Sequence, residues 1–363
     1  MPQRKGSPMN IIDRTKAYET WLKSRIGLVP ADIGLKHRAM AKAAFPFLRA
    51  TFYRWVDLWR QACPDLAHGP EVLAVGDLHL ENFGTWRDLE GRIVWGVNDF
   101  DEAYPMPYAI DLVRLAASAI IAVRENHLSI DPTSACSAIL EGYAQGIGNG
   151  GQPFVLEEKY GALRAMALSE DRDPIQFWNK LTSFDAAAAP PDVRRLLRNQ
   201  LPARDKRFRI LHRVSGLGSL GRQRFVALAP WQGGLVAREA KALAPSAYAW
   251  ATGKRTTRIF YMTLIERAVR CADPFVTVEQ GWLLRRLGPH CARIELSDLP
   301  KKADEKYLLR AMGRETANIH LGTPEAIHAI RADLKKRKKR WLFDAAEKMT
   351  AATLADWKEW RGR

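Results

Sequence analysis

The chain has 363 residues and is 47% hydrophobic, long and apolar enough for two domains or one large two-lobed body with a real core, which excludes an intrinsically disordered chain. Its 56 Lys and Arg against 40 Asp and Glu leave a formal charge of +16, which points to anionic partners such as nucleotide phosphates, nucleic acid or an acidic surface. No run of 18 apolar residues is present, so no membrane span is expected; the basic start MPQRKGSPMN has no apolar segment behind it and does not read as a secretory signal; and Cys63, Cys136, Cys271 and Cys291 lie far apart, which reads as reduced thiols of a cytoplasmic protein.

Residues 1–60 read mainly as helix after an irregular start, with Lys36 to Trp59 dense in Ala, Phe, Leu and Trp. Val72 to Val75 is a short apolar strand, Arg92 to Val97 a second, and Asp88 to Gly91 a turn between them. Asp111 opens an apolar helix, Leu112 to Val123; a carboxylate is favoured there by the free N–H groups, and it is expected to buttress the preceding loop. Residues 132–200 read as helices broken at Gly146 to Pro153 and at Ala186 to Pro191. Beyond about residue 204 the pattern turns to strands: Arg209 to Val214, a glycine-rich turn, Arg224 to Leu228, the turn Trp231 to Gly234, then Leu235 to Glu239. A helix over about 256–271 and strands at Trp282 to Leu287 and Cys291 to Leu296 follow, and 303–321 and 324–361 are again helical. The chain thus divides into an N-terminal extension (1–30), a catalytic part of a large lobe (31–204), a nucleotide-binding small lobe (205–300) and helices completing the large lobe (301–363).

The chemistry concentrates in Gly76-Asp77-Leu78-His79-Leu80-Glu81-Asn82 and Asn98-Asp99-Phe100-Asp101. An Asp, an Asn five residues on and a later Asp is the arrangement by which a phosphotransferase sets a catalytic base and two magnesium ligands. Asp77, on a loop after a strand, can take the proton of an acceptor hydroxyl. Asn82 offers a neutral oxygen and Asp99 a charged one, donors that suit a hard cation. Asp101 reads equally as a further metal ligand, as a support for Asn98 or as part of a solvated turn. His79 reads as a contact to phosphate or metal, or as a hydrogen-bonded structural residue.

The turn Gly216-Leu217-Gly218-Ser219-Leu220-Gly221 matches G-x-G-x-x-G. A dinucleotide site needs a helix directly after the glycines. Here Arg222-Gln223-Arg224-Phe225-Val226 reads as a strand, which favours a hairpin whose backbone N–H groups cover nucleotide phosphates; Gly216, Gly218, Ser219 and Gly221 are the candidate contacts. On the next strand, Arg238 or Lys241 would hold phosphate. Glu266 on the following helix is the candidate partner of that cation, with Glu239 and Glu279 as rivals. Lys335 to Arg340 is a basic run that reads as a solvated helix face or, less favoured, as a contact to nucleic acid.

GDLHLENFG followed by VNDFDEAYPMPYAIDLVRLA resembles the catalytic core of aminoglycoside phosphotransferase-like and protein-kinase-like enzymes. With FPFLRA at 45–50, GLGSLG at 216–221, REA at 238–240 and GRETANIH at 313–320, the whole chain resembles the bacterial "domain of unknown function 2252" family. The resemblance implies Asp77 as base, Asn82 and Asp99 as metal ligands and Gly216 to Gly221 as phosphate loop. Val75 stands where kinases of this type have His, and Arg238 where the family has Lys. The order is unusual, with the catalytic loop N-terminal to the glycine turn. The expected fold is therefore α+β, a bilobal protein-kinase-like fold that is circularly permuted, with a small β-rich lobe and a larger helical lobe. The expected activity is ATP- and Mg-dependent phosphoryl transfer to a hydroxyl of an acceptor. A nucleotidyl transferase or nucleotide-binding pseudoenzyme on the same fold, and a basic nucleic-acid-binding protein, are the alternatives.

Overall fold

A computed structural model describes residues 9–168, 173–202, 207–291 and 305–363. The first helices are α1 (Ile11–Lys23), α2 (Pro30–Lys42), α3 (Ala44–Ala50), α4 (Phe52–Ala62) and α5 (Pro64–Ala67). In α4 the apolar residues Phe52, Val56 and Trp59 recur with helical spacing and are buried with Tyr53 and Trp55. α1 is capped by the Asn10 side chain, which accepts from Asp13 N at 2.8 Å. Tyr18 and Leu22 bury the inner face of α1 in the main core, so the N-terminal segment is packed into the body of the protein.

Short strands and helices follow: β1 (Glu71–Ala74), β2 (Phe83–Arg87), β3 (Ile93–Val97), β4 (Tyr104–Pro107), α6 (Ala109–Arg124), α7 (Pro132–Asn149), β5 (Phe154–Val155), α8 (Gly161–Ala167), α9 (Pro174–Thr182) and α10 (Pro191–Gln200). β1 pairs with β4, whereas β2, β3 and β5 form a separate antiparallel sheet. The turn at 88–91 thus joins β2 to β3, not the strands at 72–75 and 92–97 as the sequence reading had it. β4 was missed because Pro105 and Pro107 argue against a strand; it survives because its partner is a single four-residue edge. α6 is buried from Ala109 to Ala122 and is apolar there except for Asp111, Arg114 and Ser118, as befits the central helix of a core that also carries site residues.

The five-stranded antiparallel sheet comes next: β6 (Arg209–His212), β7 (Arg224–Trp231), β8 (Gly234–Ala242), then α11 (Ala247–Ala251), α12 (Tyr261–Arg267), β9 (Thr277–Glu279) and β10 (Trp282–Leu287), in spatial order β6-β7-β8-β10-β9. Val193, Leu196 and Leu197 of α10 cover one face of it. Phe177, Trp178 and Leu181 of α9 pack on the other. Both helices had been grouped with residues 31–204. The helix expected over 256–271 is confined to α12, and the strand expected at 291–296 lies, beyond Cys291, outside the described residues.

The chain closes with α13 (Glu305–His320), α14 (Ile327–Lys336) and α15 (Trp341–Arg361), the expected 324–361 helix being broken between α14 and α15. α13 crosses α7 almost in backbone contact: a Cβ on Gly313 would lie 2.0 Å from Ile139 O, and one on Gly142 1.9 Å from Arg310 O. Lys335, Lys336, Lys338, Lys339 and Arg340 are exposed, while Arg337 pairs with Asp333. All four cysteines are free. No helix among the described residues is long and apolar enough to cross a membrane.

Candidate active site

The loop after β1 is held from behind. Asp111, in the first turn of α6, accepts from Val75 N at 2.7 Å and Gly76 N at 2.8 Å, which is the buttress the sequence suggested. Its second support was not foreseen: His320 Nε2 of α13 lies 3.0 Å from Asp111 Oδ2, and His320 Nδ1 lies 2.9 Å from the Tyr143 hydroxyl. The whole set is buried.

Asp77 leaves this loop towards a cleft. Its Oδ1 accepts from Arg114 Nε at 2.9 Å and from Arg114 Nη2, and Arg114 Nη2 also donates to Leu48 O at 2.8 Å. The guanidinium is stacked near the rings of Phe52 and Trp55. Burial raises the Asp77 pKa; Arg114 and Arg49 oppose that rise without cancelling it. Arg114 was overlooked, although a lone cation inside the apolar run LVRLAAS is a signal for a buried ion pair.

Asn82 ends a short 3-10 turn, Leu80–Asn82. Its Nδ2 donates to Asp77 O at 2.9 Å and to Asp99 O at 3.2 Å, tying the two loops together. That fixes the amide so that Oδ1 points away, buried and without a hydrogen-bond partner. Asp99 follows β3, and its side chain is 39% exposed to the cleft. Lys241 Nζ lies 3.1 Å from Asp99 Oδ1 and 2.6 Å from Asp101 Oδ1. Burial opposes ionisation of Asp99, but Lys241 and a hydrogen bond with Asp101 outweigh it and hold Asp99 well below the ordinary carboxylate range. Asp101 is raised, by burial and then by Asp99 itself, so the pair shares a site in which Asp99 carries the charge. Asp101 is engaged from the other side by Arg222 Nη1 at 3.3 Å, and Arg222 Nη2 reaches Glu102 at 3.1 Å.

The glycine turn closes the cleft opposite Asp77. Leu217–Ser219 forms a 3-10 turn, and Ser219 Oγ accepts from Arg224 Nη2 at 2.7 Å. A Cβ on Gly218 would sit 3.0 Å from Arg49 O and 3.2 Å from Asp77 Oδ2, so the turn lies directly on the loop that carries Asp77. Gly221 O accepts from Val29 N at 2.8 Å, which anchors the end of the turn to the N-terminal helices.

β8 separates the two candidate cations. Positions 238 and 241 are an odd number apart, so they project from opposite faces. Lys241 points to the acidic loop. Arg238 donates to Gln200 O at 3.0 Å and stacks over Phe275, away from the cleft. Glu266 is exposed on α12; the acidic partners of Lys241 are Asp99 and Asp101, which corrects the expected Lys–Glu266 or Arg238–Glu266 pairing. Glu239, the rival, is fully buried among Arg213, Arg224 and Arg285 at 2.5, 3.1 and 2.7 Å. Burial disfavours its charge, but the three arginines drive its pKa well below the usual value.

Asp77, Asn82, Asp99, Asp101, Gly216, Gly218 and Ser219 thus line one cleft of about 620 Å³; Gly221, Arg238, Glu266 and the fully buried Lys241 do not line it, Lys241 standing behind Asp99 and Asp101. Phe177, Leu181 and Phe184 with Leu287 form an apolar wall at its sheet end. Among the described residues no group of three His, Cys, Asp or Glu side chains is placed to hold a metal ion. The oxygen set is smaller: Asn82 Oδ1, an orphaned buried acceptor, and Asp99. Two such ligands fit magnesium, which typically completes its shell with phosphate oxygens and water. No curated protein and no solved structure matches the chain. A family model matches it over residues 28–181 and 180–363, and the chain therefore belongs to the family described as "Uncharacterized protein conserved in bacteria" (DUF2252).

Proposed function

We propose that the protein is an ATP- and Mg-dependent phosphotransferase acting on a hydroxyl-bearing acceptor, on a kinase-like, two-lobed fold of permuted order. The observation that carries this reading is Asn82 Oδ1. A buried amide oxygen without a partner costs about 1–3 kcal/mol, and here its own Nδ2 is committed to holding it in that orientation beside Asp99. A magnesium ion at Asn82 and Asp99 would neutralise charge on the nucleotide phosphates.

The chain's own residues then have distinct work. Asp77 Oδ1 is occupied by Arg114, which leaves Oδ2, on the side of Gly218, to orient the acceptor hydroxyl and take its proton. Lys241 serves the phosphates as a point charge, and its present contacts with Asp99 and Asp101 keep it at that spot. Backbone N–H groups of Gly216 to Gly218 cover the phosphates, the Ser219 N–H being spent on Gly216 O, and the wall of Phe177, Leu181 and Phe184 suits a nucleobase. Permuted order is supported by two facts: α13 braces the catalytic loop through His320, and Arg54 bonds both Met9 O and Asp356, so the two ends of the described chain meet. Asp99→Ala is expected to abolish Mg-dependent turnover of ATP, measured with the parent's acceptor or as basal hydrolysis; undiminished turnover would sink the assignment. The mass added to the acceptor separates phosphoryl from nucleotidyl transfer. The exposed basic run at 335–340 does not line the cleft, so nothing in the geometry favours a nucleic-acid reading.

A further inference from the structure

The cleft is rich in cations, and most are answered by acids: Arg49 by Glu81, Arg222 by Asp101 and Glu102, Arg213, Arg224 and Arg285 by Glu239. Lys36 differs. It projects from α2 into the cleft and is 4% exposed. Its Nζ is 3.5 Å from Gly218 O, a marginal contact, and 5.9 Å from the centroid of the Tyr53 ring. Among the described residues no carboxylate forms an ion pair with it. Burial drags its pKa down to about 8, against the weaker pull of Glu19, Asp77 and Glu102. A desolvated ammonium with spare donors is unfavourable unless something supplies the missing charge.

The position says what that something is. Lys36 reaches the carbonyl of Gly218, the residue of the turn that faces Asp77 Oδ2, in a part of the cleft lined by Tyr18, Phe52 and Tyr53. The phosphate-bearing end of the nucleotide is already served by Lys241, Asn82 and Asp99. We propose that Lys36 recognises an anionic group on the acceptor, so that the acceptor is an alcohol already carrying a phosphate or a carboxylate. This rests on the phosphotransferase reading for the word acceptor; the anion site itself does not. Lys36 is a binding residue in this scheme and takes no proton in the transfer.

The test is calorimetric titration of inorganic phosphate, with acetate in a parallel arm, into the free protein and into protein saturated with Mg and a non-hydrolysable ATP analogue. At least one anion is expected to bind in both states, with phosphate and acetate separating the two acceptor classes. Lys36→Met is expected to weaken that binding at least tenfold while nucleotide affinity stays within twofold. Asp99→Ala should do the reverse, losing nucleotide and keeping the anion. Equal anion affinity in parent and Lys36→Met, absence of anion binding to the parent, or loss of nucleotide in place of the anion, each overturns the proposal. Failure of the nucleotide to bind the parent overturns the phosphotransferase reading alone. Should Lys36→Met not fold, the parent suffices: the anion is expected to slow acylation of Lys36, read by mass spectrometry, and an unchanged rate overturns the proposal.

Discussion

Asp77 is the residue at which chemistry and packing meet. Its carboxylate touches Arg114 on one oxygen and faces the glycine turn with the other. Asp77→Asn keeps an acceptor for Arg114 and most of the packing, and removes only basicity. Turnover is expected to fall by about 10²–10⁴, the usual contribution of a general base, while the Kd for Mg-nucleotide changes little; steady-state kinetics beside a binding titration read the two separately, and equal loss in both would assign Asp77 to binding. Glu315 offers a test independent of function. It is buried in α13, accepts from Val97 N at 3.2 Å and Asn318 Nδ2 at 2.8 Å, and its pKa is raised to about 7 by burial, against the pull of Arg270 and these hydrogen bonds. A raised carboxyl favours the folded state at low pH and loses that contribution as pH climbs from the unfolded value of about 4.5 through about 7. Glu315→Gln lacks this slope. The stability of the variant relative to the parent should therefore improve between pH 5 and pH 8, by on the order of 3 kcal/mol, in denaturant titrations at the two pH values; parallel curves would show that Glu315 is ionised throughout. That Asp77, Asn82 and Asp99 share one cleft was legible in the sequence because they sit on two loops a short stretch of chain apart. Arg114 was marked only as a buried cation without a named partner, and His320 and Lys36 were not marked at all, because each arrives from a helix with no local pattern that names its target.

At the level of elements, the strands after residue 209 could be read as short apolar runs set off by glycine turns, and the runs are near-continuous because α10 and α9 bury both faces of the sheet. The pairing of β1 with β4 could not, because two four-residue strands carry too little pattern to identify each other. The crossing of α7 and α13 was equally hidden, being written in single glycines on helices separated by some hundred and fifty residues of chain. At that crossing the obstacle to a side chain is backbone, which cannot rotate away. Gly313→Ala would drive a methyl into Ile139 O and towards Tyr143 N, both within 3.0 Å. The helices must separate, at a cost of about 3 kcal/mol or more, the upper end for overpacking. Tyr143 lies on the same stretch of α7 and holds His320, which holds Asp111, which holds Gly76. Gly313→Ala is therefore expected to lower turnover as well as the unfolding midpoint, whereas Gly148→Ala, near the end of α7 with open space around it, should lower neither. Equal behaviour of the two variants in thermal unfolding would remove the close crossing from the account.

Over the whole molecule, the Asp77 loop and the glycine turn are brought together from opposite halves of the chain, and the last helices return to brace the first strand. α15 packs beside α6 and α4, Trp360 Nε1 donates to His37 O at 3.3 Å, and Arg54 joins Asp356 to Met9 O. The ends of the described chain are neighbours, so the order of the two halves in sequence is not what holds them in space. Joining Arg363 to Met1 through a flexible linker of about ten residues, and opening the chain after Pro202, places the glycine turn before the catalytic loop. None of the sheet pairings is cut, because the opening falls between α10 and β6. Closing or opening a loop of this size alters stability by only about 1–2 kcal/mol, since its entropy grows with the logarithm of length. The permuted chain is expected to unfold in a single cooperative transition within that margin of the parent and to retain nucleotide binding. A permuted chain that aggregates, or unfolds in two separated steps, would mean that the native connection through residues 203–206 is itself required to dock α10 on the sheet, and the case for a permuted kinase-like order would lose its physical footing.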